Sequence, residues 1–96
     1  MRRTKTMLLG DLLEEVFSRP EIAAKIAEGE LPETWRSVVG DAVADITTQL
    51  QLHRRILYVA VCSSVVRSEL LYQRESLRAR LNARSRVPII DSIIIK

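Results

Sequence analysis

A run of twenty residues without glycine or proline, Ser63 to Asn82 (SSVVRSELLYQRESLRARLN), constrains this chain more than any other stretch. At 100° per residue, Val66, Leu70, Leu77 and Leu81 fall within about 60° of one another, an apolar stripe suited to burial. Arg67, Arg74 and Arg78 follow in a row beside it, spread over about 40°. Ser63 or Ser64 offers an oxygen to the free N–H groups of a first turn. The spacing predicts about five turns of uninterrupted helix. One face is for burial, and its neighbour carries three guanidinium groups.

The long helix needs a surface to lie on, and the residues around it supply one. In ITTQLQL, Ile46, Thr48, Leu50 and Leu52 alternate with Thr47, Gln49 and Gln51, the pattern of a half-buried strand. In ILYVAV, Leu57, Val59 and Val61 are expected inward, with Ile56, Tyr58 and Ala60 outward. Tyr58 is read as ordinary surface, since a single ring is a weak platform for bases. His53-Arg54-Arg55 joins the two strands as a hairpin. It lacks glycine, which predicts a loop longer than a two-residue primed turn. After the helix, Val87-Pro88 leads to a last strand from about Ile89 to Ile95, with Ile93 and Ile95 inward. Strand, helix and strand form a crossover, so the second and third strands are expected parallel. The neighbour of the third strand is left open between the other two.

Before the sheet come helical patterns. Leu9, Leu12, Leu13, Val16 and Phe17 repeat with helical spacing over Met7–Ser18, behind a loose basic stretch over residues 1–6. Arg19-Pro20 ends that helix and opens the next, PEIAAKIAEG, with Ile22, Ala23, Ile26 and Ala27 inward and Gly29 as a left-handed stop. A third helix, ETWRSVV, ends at Gly40 and buries Trp35, Val38 and Val39; the lone Trp is a core anchor. Residues 41–45 add one turn. The fold class is α+β, N-terminal helices followed by a ββαβ unit whose three-stranded sheet packs against one long helix. Residues 7–96 form a single domain.

Chemistry is limited by what is missing. One Cys and one His make no zinc site. His53 and Cys62 lie at opposite ends of a strand, ~20–30 Å apart, too far for a catalytic pair. His53 reads as an exposed turn residue and Cys62 as a buried small hydrophobe. Glu14/Glu15, Glu28/Glu30 and Asp41/Asp45 read as solvated faces. There is no phosphate-binding glycine loop, and no GxxG clamp among Gly10, Gly29 and Gly40. The chain reads as no enzyme, with no cofactor, metal or small-molecule substrate. No apolar run approaches a membrane span, the acids at 11, 14 and 15 break any leader core, and a single cysteine fits a reducing cytoplasm.

Charge points to partners. Residues 1–52 carry a net −3 and residues 53–96 a net +6, and twelve of the fifteen cations are arginine. Arginine suits bidentate contact with phosphate or carboxylate. The candidate contact residues are Arg54 and Arg55 in the hairpin and Arg67, Arg74 and Arg78 on the helix, whose stems can lie on apolar surface while the heads reach out. For Arg67, close to a helix N-terminus, pairing with Asp91 or a helix carboxylate is the competing expectation. A basic half of this kind fits nucleic acid or an acidic protein surface.

Several segments together resemble the DUF721 family, the DciA-like proteins of bacterial replication, in the short form seen in Bacteroidetes-type bacteria. They are Leu9-Gly10-Asp11-Leu12-Leu13, Trp35-Arg36-Ser37-Val38-Val39-Gly40 with Ile46-Thr47, and Leu57-Tyr58-Val59 leading to Ser63-Ser64. Val66-Arg67-Ser68-Glu69-Leu70, Leu77, Leu81-Asn82 and Ile90-Asp91-Ser92-Ile93 complete the pattern. The resemblance implies a KH-like domain without enzymatic activity that binds DNA, single- or double-stranded, and assists the replicative DnaB-type helicase. Longer members carry a flexible C-terminal extension linked to DNA and helicase engagement; with the sequence ending at Lys96, a reduced or shared loading role is expected. The alternatives are an adaptor that sets its basic face on an acidic protein and an RNA-binding KH-like protein.

Overall fold

The computed structural model describes residues 19–85 and 87–96. The stretch expected to be loose over 1–6 and the helix expected over 7–18 lie outside these. Three helices come first: α1 (Pro20–Gly29), α2 (Leu31–Val39) and α3 (Asp41–Asp45). Pro20 and Pro32 each stand in a first turn, where a missing N–H leaves no intrahelical bond unmade. Ala23 and Ala27 of α1 are buried, Ile26 is half-buried, and Ile22, expected inward, is exposed. Gly29 is not the left-handed stop that was expected. The next residue, Glu30, stays right-handed (φ −91°, ψ 0°) and gives its N–H to Ile26, so α1 passes into α2 without reversing. The reversal comes at Gly40, whose φ of +91° and ψ of 163° suit only glycine.

β1 (Thr47–His53), β2 (Ile56–Val61) and β3 (Ser92–Ile95) form a three-stranded sheet in the order β1-β2-β3. β1 and β2 are antiparallel; β3 runs parallel to β2, as a crossover requires, and takes the neighbour position the sequence left open. Leu57 and Val59 are fully buried beneath the helices, and Ile93 meets them from β3. β1 departs from strict alternation. Its register with β2 shifts between Thr47 and Gln49, a bulge that turns Thr47 inward and leaves Thr48 exposed, the reverse of the expectation. The reason is Trp35, whose buried indole N–H needs an acceptor. The Thr47 hydroxyl accepts it at 3.0 Å and donates onward to the Val43 carbonyl at 2.8 Å.

The long helix is two helices, α4 (Ser64–Tyr72) and α5 (Arg74–Arg84). Ser63 caps α4 by accepting the Val66 N–H at 3.3 Å. At Gln73 the backbone leaves the helical region (φ −101°, ψ 19°), although its N–H still reaches the Glu69 carbonyl. Length explains the break. Twenty residues of straight helix span about 30 Å, whereas a six-residue strand covers about 20 Å. A straight helix would overhang the sheet. With the break, α4 packs on β2 and β3 while α5 packs on α2 and β3, and Leu70, Leu77 and Leu81 all enter one core with Trp35.

The approach to β3 is also not strand. Ile89 and Ile90 are both buried in an irregular segment held by Asn82, and regular pairing starts only at Ser92. Among the described residues no helix is long and apolar enough to cross a membrane.

Candidate nucleic-acid interface

The hairpin between β1 and β2 is tighter than its residues predict. His53 pairs directly with Ile56, so Arg54 and Arg55 alone form the turn. Both are left-handed, with φ of +52° and +67°, the signature of a primed two-residue turn without its usual Asn or Gly. Each side chain there costs about 1 kcal/mol. Tertiary contact holds the turn. The Arg55 carbonyl accepts the Asp91 N–H at 2.7 Å, and Arg55 Nε donates to Asp91 Oδ2 at 3.0 Å. Asp91, just before β3, thus clamps Arg55 through backbone and side chain together. Local sequence carries no sign of this, because the two residues are thirty-six positions apart.

The five candidate arginines do not form one group. Arg55 pairs with Asp91. The Arg55 hydrogen bond is the main cause holding that carboxyl below the ordinary aspartate range, and the charge of Arg78 adds to it. Arg78 also donates to Glu75 one turn back, at 3.1 Å. Arg74 lies four residues before Arg78 on the same row of α5, exposed and, among the described residues, without an ion pair. Arg54 is exposed at the turn. Arg67 is exposed on α4, across the break at Gln73, so the single row expected of three helix arginines does not hold. Its expected pairing with Asp91 is not made, since Arg55 takes that carboxylate.

Three further arginines are structural. Arg80 donates to the Val38 carbonyl at 3.1 Å and Arg84 to the Ser37 hydroxyl at 3.3 Å, tying α5 to α2. Arg36 bridges Asp41 and Asp45 at 3.0 and 2.9 Å, which raises its own pKa; these two carboxylates, read as merely solvated, are partners of α2. Cys62 is exposed, against expectation, with its thiol 3.5 Å from the Ile46 carbonyl. It stands where β2 has passed the core and the chain turns into α4.

Among the described residues, the helices cover one side of the sheet and leave the other open. On the open side the register sets Gln51, Tyr58 and Ile94 in one row across all three strands. Gln49, Gln51, His53 and Tyr58 line a shallow groove of about 340 Å³. Lys96 Nζ stands 6.0 Å from the Tyr58 ring centroid.

Residues 8–95 match the protein family described as Dna[CI] antecedent, DciA. Two curated relatives come from Mycolicibacterium smegmatis. One is called UPF0232 protein in recF-gyrB intergenic region, and the other is a UPF0232 protein of strain ATCC 700084 / mc(2)155. Each is 32% identical over 76 residues, covering 79% of this chain but 39% of the relative. The chain therefore spans about two fifths of the length of the curated relatives it matches. No solved structure matches it. Matched from residue 8 to residue 95, with the Trp35, Asn82 and Asp91 segments each in a structural role, the chain belongs to the DciA family.

Proposed function

We propose that this protein is a non-catalytic replication factor that contacts DNA and the replicative DnaB-type helicase. The family match across residues 8–95 carries this reading. Arg54, Arg55, Arg74 and Arg78 form the DNA contact, with Arg67 as an outlying cation on α4. The chemistry of Arg74 and Arg55 supports it. Arg74 is uncommitted among the described residues, and Asp91 engages Arg55 only through Nε, leaving the two Nη groups for a phosphate. Guanidinium groups oriented this way give fork-like contacts that lysines cannot.

A second reading is an adaptor for an acidic protein. It is favoured by one observation: Arg55 and Arg78 already hold carboxylates, Asp91 and Glu75. Titration of labelled single-stranded and duplex DNA over a salt series separates the two. If the arginines meet phosphates, Arg74→Ala with Arg78→Ala lowers affinity for all sequences alike and flattens the salt slope by about one unit for each phosphate no longer held. A wild-type protein that binds no DNA at low salt sinks the DNA reading and leaves the adaptor. Co-purification of the helicase with wild type, but not with a charge-reversed Arg74→Glu variant, tests the protein contact.

A further inference from the structure

Apart from Arg54, the candidate arginines sit at one end of the sheet or on the helices that cover its inner side, so they say nothing of the outer side, which is open among the described residues. That side has its own character. Tyr58 is central in it, half-buried on the middle strand, with Gln51 and Ile94 as neighbours in the same row. Gln49 donates its amide to Gln51 at 3.4 Å, which leaves the Gln49 oxygen as an acceptor and the Gln51 nitrogen as a donor. None of the outward positions from Gln49 to His53, Ile56 to Ala60 or Ser92 to Lys96 is acidic. Two cations stand beside it, Lys96 with its Nζ 6.0 Å from the Tyr58 ring centroid and Arg54 at the hairpin.

We propose that the outer face of the sheet, centred on Tyr58, is a stacking platform for single-stranded DNA. A base lies on the Tyr58 ring against Ile94, its edge meets the free groups of Gln49 and Gln51, and its phosphates run toward Lys96 and Arg54. Stacking requires an unpaired base, because a duplex hides both faces of each base from a flat sheet. A carboxylate-rich peptide would find two flexible cations and an uncharged centre here. The surface is built for rings and hydrogen bonds more than for anions. The choice of DNA over RNA rests on the replication reading above.

Anisotropy of labelled oligo(dT), oligo(rU) and a blunt duplex tests the platform, with folding of each variant checked through Trp35 fluorescence. Oligo(dT) should bind more tightly than the duplex at equal salt. Tyr58→Phe should keep that affinity and Tyr58→Ala should lower it about tenfold without changing the salt slope, since removing a stacked ring releases no counterions. Gln51→Glu, at an exposed position that tolerates exchange, should weaken oligo(dT) by a similar factor and leave duplex binding as it was. Unchanged oligo(dT) affinity in both variants would overturn the platform; if Arg74→Ala with Arg78→Ala still weakens binding, the DNA reading survives without it. Oligo(rU) bound more tightly than oligo(dT) would overturn the assignment to DNA. A wild type that binds none of the three ends both proposals.

Discussion

Asn82 makes three hydrogen bonds with one side chain. Its Oδ1 accepts the N–H groups of Ile89 and Ile90, each at 3.0 Å, and its Nδ2 donates to the Ile90 carbonyl at 2.9 Å. Ile89 and Ile90 are buried with no strand to pair their backbone, so a helix side chain supplies what a neighbouring strand would. Only a group with an adjacent donor and acceptor serves. Asn82→Ala would strand two amides and a carbonyl, and urea unfolding should show a loss of about 2–4 kcal/mol. Asn82→Asp keeps the acceptors but turns a carboxylate toward the Ile90 carbonyl, so it should fall between wild type and Asn82→Ala. From the sequence, Asn82 was visible only as part of a family pattern. The need it meets arises from the burial of two isoleucines seven and eight residues on, which periodicity cannot register.

At the scale of elements, β2 was fully legible, because burial on one face alone decides a period of two. β1 was half legible. A strand pattern assumes that each residue advances the face by one, and the bulge at Thr48 adds a residue that the hydrogen-bond demand of Trp35 explains and the strand itself does not. The break at Gln73 escaped for a related reason: the apolar stripe is continuous through it, and what interrupts the helix is the finite length of the sheet underneath. The candidate arginines could be named as residues but not arranged in space, since Asp91, the carboxylate that holds Arg55, comes from the far side of the crossover. The hairpin and β3 are joined by that carboxylate, and the joint is sensitive to acid. Arg55 holds the Asp91 pKa below its unfolded value, so the stabilisation is present above the ordinary aspartate value and is lost as pH falls through the folded one. The window therefore opens near pH ~4 and extends downward. Carboxyl carbon shifts should place the Asp91 midpoint below the ordinary aspartate value, and Arg55→Ala should bring it back up. Arg78→Ala should move it the same way by less. An unmoved midpoint in Arg55→Ala would show that the pair does not persist in solution.

The described residues share one core. Leu57 and Val59 of the sheet, Trp35 of α2, Leu70 of α4 and Leu77 and Leu81 of α5 belong to a single buried cluster, so these helices and the sheet are expected to unfold together. Trp35 fluorescence and far-UV circular dichroism should report the same denaturant midpoint. Leu77→Ala should shift both together, by roughly 2–5 kcal/mol. Divergent midpoints would mean that the N-terminal helices form a unit of their own. Against that background the two left-handed arginines of the hairpin are a local weakness. Asparagine and glycine at positions 54 and 55 would make a sturdier turn, and guanidinium groups there forgo that gain. A library randomised at these two sites and sorted only for heat resistance should drift to Asn-Gly, while one sorted for ligand capture should return to arginine. At this turn the chain carries two charges where its backbone favours uncharged residues.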